Sequence, residues 1–134
     1  MPLLFDEDYV ALQERGFLFV EDAQQRFFIF KDYPLPLDVY NVEICDVLVV
    51  IPSNYNQDGN DMIWTHPRLL RSDGKPIPAT HNLGESVNHH SEGIEYCRWS
   101  RHWSPGIAGV WRPGKDDIIS IQRRIEWAFR NPDI

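Results

Sequence analysis

The sequence is poor in basic residues and in cysteine, and it has no long apolar run. Thirteen Lys and Arg stand against 20 Asp and Glu in 134 residues, a net charge of -7. A nucleic-acid surface needs concentrated positive potential, so this balance excludes nucleic acid as a general partner. The two cysteines, Cys45 and Cys97, are too few for the disulfide framework of a small secreted domain. The opening MPLLFDEDY lacks the basic and then apolar stretches of an export signal, and no later run approaches the length that crosses a bilayer. A cytoplasmic protein with no membrane partner is expected. Repeats, low-complexity tracts and linker-like segments are lacking too, so residues 1–134 are expected to form one domain.

Apolar material is plentiful. Hydrophobic residues make up 43% of the chain, enough at this length to bury a core. Residues 6–15 read as a helix, with Asp6 as its cap and Gly16 just past its end. From Phe17 the pattern turns to short runs rich in aromatic and β-branched residues: FLFV at 17–20, FFIF at 27–30, CDVLVVI at 45–51 and MIW at 62–64. These predict a four-stranded antiparallel meander. The third run is apolar on both faces and should be the most buried, with Cys45 at its start as packing material. Residues 72–96 show little periodicity and read as one long, mobile loop. The aromatic-rich RWSRHW at 98–103 follows, then a Pro-Gly loop, then WRPG at 111–114. Asp116 or Asp117 caps a last helix, in which Ile118, Ile121 and Ile125 recur at helical spacing until Asn131 and Pro132 end it.

The order helix, meander, loop, Trp-x-Pro, helix resembles the ubiquitin-conjugating fold, an α+β architecture. VLVVIPSNY at 47–55 is similar to the strand and turn before that fold's proline-rich corner, and THP at 65–67 to its His-Pro flap. DYPLP at 32–36, DMIW at 61–64, Asp73-Gly74, RWSRHW and WRPG together resemble the prokaryotic ubiquitin-conjugating family E. The resemblance implies transfer of a ubiquitin-like protein from an activating enzyme to a target protein, encoded within a bacterial operon that serves antiviral defence. Departures from the eukaryotic pattern are also visible. Arg68 stands where the flap has Asn, Tyr55 is followed by Asn56 where a proline is usual, and Pro76, Ile77 and Pro78 occupy the stretch where the acceptor cysteine belongs.

In the interval between flap and Trp111, Cys97 is the candidate nucleophile. A thioester is reactive yet survives until an amine arrives, and the cationic neighbours Arg98, Arg101 and His102 would favour the thiolate. Ser100 and His102, two apart, would share a face of an extended segment and could form an oxyester, although no orienting acid is recognisable. A UBC-like scaffold that binds its partners without catalysis is the alternative. His81, His89, His90, Cys97 and His102 offer zinc-compatible donors for a further alternative, a zinc-binding loop domain or metal-dependent hydrolase, but their spacing fits no standard finger. No cofactor is expected, and tryptophans 99, 103 and 111 read as core and loop anchors.

Overall fold

A computed structural model describes residues 2–103 and 109–133; the expected Pro-Gly loop at Pro105-Gly106 lies outside them. The chain folds into α1 (Asp6–Glu14), β1 (Leu18–Asp22), β2 (Phe27–Pro34), β3 (Ile44–Val50), β4 (Ile63–His66), β5 (His89–Ser91), β6 (Ile94–Trp99) and α2 (Ile118–Arg130). The strands form one curled antiparallel sheet in the order β1-β2-β3-β4-β6-β5. The first four are the expected meander. The other two correct the expectation of a four-stranded sheet followed by a long loop, because a hairpin spanning 89–99 starts inside the expected loop 72–96 and continues the sheet past β4.

Register decides which side chains meet. Phe30 lies opposite Val47, Val47 opposite Thr65, and Thr65 opposite Cys97, so these residues share one face. That face carries the main core, in which Phe28, Phe30, Val47, Val49 and Trp99 meet Ile118, Ile121, Ile125 and Phe129 of α2. Alternation sends Ile29, Leu48, Trp64 and Tyr96 to the other face, where they form a second cluster with Phe27. The β5 hairpin closes that cluster: the His89 ring sits 4.3 Å from Trp64 and 4.9 Å from Phe27. β3 is therefore buried on both faces, as its continuous apolar run predicts. In β2 a bulge falls between Phe30 and Tyr33. There Asp46 accepts hydrogen bonds from the Lys31 ammonium at 2.8 Å and from the Asp32 amide at 2.9 Å.

Both helices start and stop for local reasons. Asp117, not Asp116, caps α2 by accepting from the amides of Ile119 and Ser120, and Asn131 ends it. α1 departs from expectation, since Phe5 rather than Asp6 holds the cap position. The third helical residue, Asp8, reaches back to accept from the Phe5 amide at 3.0 Å. Gly16 takes the left-handed conformation (φ 74°) just past the end.

Candidate functional site

The flap begins at the end of β4, where Thr65 and His66 lead through a cis peptide into Pro67 and Arg68. The chain then turns through Pro76, Ile77 and Pro78, with Ile77 buried in the core. It next runs beside the end of β6. The His81 amide donates to the Arg98 carbonyl at 3.1 Å and the Ser100 amide to the Ala79 carbonyl at 2.8 Å, around a bridge between Thr80 and Trp99. The stretch after the flap and the segment 98–103, far apart in sequence, are thereby stitched together. Such stitching sets Ser100 against Ala79 in the stretch after the flap, with His102 two residues further on.

Cys97 is placed differently from the sequence reading. It stands in the middle of β6 and not in an irregular region, opposite Thr65, with only 1% of its surface exposed. The Asn88 amide group lies 3.8 Å from its sulfur. That side chain is itself fixed, donating to the Asn82 carbonyl and Glu95 while accepting from the Arg98 amide. Burial pushes the Cys97 thiol above its ordinary value, the negative charges of Glu95 and Glu85 push the same way, and Arg68 alone opposes them. The cations cited from sequence do not help. Strand alternation turns Arg98 to the opposite face, where it meets His81 at 3.3 Å. Burial also pushes up the thiol of Cys45, which lies in the main core at 3% exposure.

Around His102 the arrangement is exposed and well anchored. Its Nδ1 lies 2.7 Å from an Asp61 carboxylate oxygen, supplying the orienting acid that sequence reasoning did not find. With Nδ1–H donated to Asp61, Nε2 is left as the basic nitrogen. The backbone here is pinned from several directions. Arg124 donates to the His102 carbonyl, Arg101 to the Pro78 carbonyl at 3.0 Å, and the Trp103 indole to the Asn60 side chain at 3.1 Å. Ser100 is half-buried, and no hydrogen bond joins its hydroxyl to His102 among the described residues. Asp61 opens the DMIW motif, but its partner lies 41 positions away, so only the fold reveals the pair.

The histidines do not assemble. His81 pairs with Glu85, His90 faces Glu95 at 3.8 Å, His102 holds Asp61, and His89 is clamped between aromatic rings with its pKa lowered chiefly by burial. Among the described residues no group of three or more His, Cys, Asp or Glu side chains converges on a point where a metal could sit. The donor set needed for zinc is therefore not gathered in one place.

A two-helix α+β domain with a His-Pro flap and a Trp-x-Pro entry to its last helix is the class to which this architecture points. Comparison with known families agrees: the sequence matches prokaryotic E2 family E over residues 4–131, and the chain belongs to that family. Family membership ties it to ubiquitin-like conjugation, with ubiquitin-like proteins or activating enzymes as the class of partner. No curated protein and no solved structure gives a significant match. No helix among the described residues is long and apolar enough to cross a membrane.

Proposed function

We propose that this protein serves ubiquitin-like conjugation by binding and positioning a ubiquitin-like protein or its activating enzyme, without carrying the ubiquitin-like protein as a thioester. The observation that supports this reading is the state of Cys97, a mid-strand thiol at 1% exposure whose deprotonation is opposed by burial. A nucleophile needs the thiolate and a path for the incoming tail; burial opposes the first, and 1% exposure of the residue argues against the second. The stretch after the flap offers only Pro76, Ile77 and Pro78 in its place.

Incubation with the cognate activating enzyme, ATP and the ubiquitin-like protein tests the proposal. The expected result is a non-covalent complex and no adduct removed by thiol reductant. A reductant-labile adduct that survives Cys45→Ser and disappears in Cys97→Ser overturns it.

A second reading, transfer through Cys97, rests on the neighbour of its sulfur: the Asn88 side chain, 3.8 Å away, comes from the irregular segment before β5 and not from the core. This reading requires that segment to move and expose the thiol. An oxyester on Ser100, with His102 as base, is a variant of this reading; Asp61 supports it as the orienting acid, while the Ser100 hydroxyl would still have to turn to reach His102. It would appear as a reductant-resistant, base-labile adduct lost in Ser100→Ala.

A further inference from the structure

The outer face of α2 carries charge of the opposite sign to the chain as a whole. Ser120, Arg123, Arg124 and Trp127 recur at helical spacing and, with Trp103 and Arg112, line an open groove of about 610 Å³. Asp116 is the one acidic residue in the lining, and it is already engaged by the Arg112 guanidinium and the Ser120 hydroxyl, each at 2.9 Å.

Arg124 is the unusual member. It is 7% exposed, with its guanidinium 5.9 Å from the Trp103 ring and 5.3 Å from the Trp127 ring. One nitrogen donates to the His102 carbonyl, while Nε and Nη1 have no partner among the described residues. Near enough to act on its charge lies Arg101, 6% exposed over Trp99, with Nε and Nη2 also without partners among the described residues. Burial lowers the pKa of both guanidiniums, and the charge of Arg101 lowers that of Arg124 further. Neither forms an ion pair among the described residues. Residues 104–108, Ser-Pro-Gly-Ile-Ala, contain no acidic side chain that could supply one. Two neighbouring buried cations without a counter-charge are costly, and the indole faces offset only part of that cost.

We propose that this groove is a docking site for an acidic peptide segment of a partner protein. Its carboxylates would meet Arg123 and Arg124, and its carbon surface would lie along Trp103 and Trp127. A carboxylate matches the planar fork of a guanidinium, and two indole walls reward an occupant with apolar surface, which an inorganic anion lacks. The site does not depend on whether Cys97 carries an acyl group.

The test is a titration of the full chain, followed by the tryptophan indole N–H signals in NMR, with a blocked pentapeptide of four glutamates around a leucine. Saturable shifts of the Trp103 and Trp127 signals are expected, weakening as salt is raised. Arg123→Glu places the opposite charge at an exposed helix position, so the fold survives. It should weaken binding at least about tenfold, whereas Arg15→Glu at the end of α1 should leave it unchanged. No saturable shift at millimolar peptide, or equal binding by Arg123→Glu, overturns the site. Inorganic phosphate that produces the same shifts and displaces the peptide at equal concentration overturns the peptide assignment in favour of a simple anion hole. A thioester on Cys97 would sink the proposed function and leave this groove standing, while failure of the titration leaves that function untouched.

Discussion

Trp111→Ala is expected to destabilise the fold by roughly 3–5 kcal/mol, the range for truncating a buried aromatic side chain. Trp111 is 9% exposed, donates its indole N–H to the Asn56 carbonyl at 3.0 Å, and meets Trp103 edge-on at 5.2 Å. It thus ties the turn after β3 to the entry of α2, with Pro113 two residues on limiting the backbone freedom there. The contact can also be tested from the other side. A Cβ added at Gly59 would fall 2.3 Å from the Trp111 ring, closer than atoms can approach. Gly59→Ala should therefore cost about 1–3 kcal/mol by forcing the indole out of place. Urea denaturation measures both losses. A change below about 1 kcal/mol for Trp111→Ala would mean that the indole does not hold this junction.

Asp8→Ala should cost about 2–3 kcal/mol, because one buried carboxylate joins three parts of the molecule. At 4% exposure it accepts from the Phe5 amide and the Tyr55 hydroxyl, each at 3.0 Å, and from the first amide of α2, Ile118, at 3.5 Å. Burial nevertheless dominates its titration and raises its pKa above the usual aspartate value, with the three hydrogen bonds pulling the other way. A carboxyl whose pKa is higher folded than unfolded takes up its proton more readily in the folded chain. The penalty for its charge is fully present above the folded pKa and is relieved as pH falls towards the ordinary aspartate range. Asp8→Asn removes that charge while keeping an acceptor for Tyr55, so it should cost less than Asp8→Ala. Relative to Asp8→Asn, the wild-type protein should gain stability on acidification from neutral pH into the carboxylate range. Paired denaturant melts across pH decide this, and a relative loss on acidification would contradict the burial-dominated account.

The strands of the meander and the last helix are legible because their apolar residues repeat with a period that only one kind of element satisfies. Val47 and Val49 against Leu48 mark a strand with two buried faces, and Ile118, Ile121 and Ile125 mark a helix with one. The hairpin of β5 and β6 escapes the same reading. In β6 one face carries Glu95 and Cys97 before Trp99, and the other mixes Ile94 and Tyr96 with Arg98, so no clean alternation appears. Its turn offers a weaker signal, Glu92-Gly93, in which both residues take positive φ. Asn-Gly or Asp-Gly would have announced such a turn more clearly. The Gly, Pro, Ser, Asn and His of 72–96 show little periodicity and so suggest an irregular region there, whereas Cys97 stands in a regular strand.

Long-range polar pairs are the other part hidden from sequence. Nothing local to Asp61 or His102 links them until the segment 98–103 is stitched against the flap. Charged residues read by default as surface, so the burial of Arg101 and Arg124 emerges only once Trp99, Trp103 and Trp127 are placed around them. In each case a tertiary contact, and not a local pattern, creates the chemistry.

The most direct measurement is the rate at which iodoacetamide modifies Cys97 in folded Cys45→Ser protein, compared with the same chain unfolded in denaturant. A thiol 1% exposed within β6 beside Asn88, its ionisation opposed by burial, should react at least roughly a hundredfold more slowly in the folded state, since modification must wait for local opening. Modification at a rate close to that of the unfolded chain would show an accessible thiolate, contradict the non-carrier account and return Cys97 to the role of acceptor.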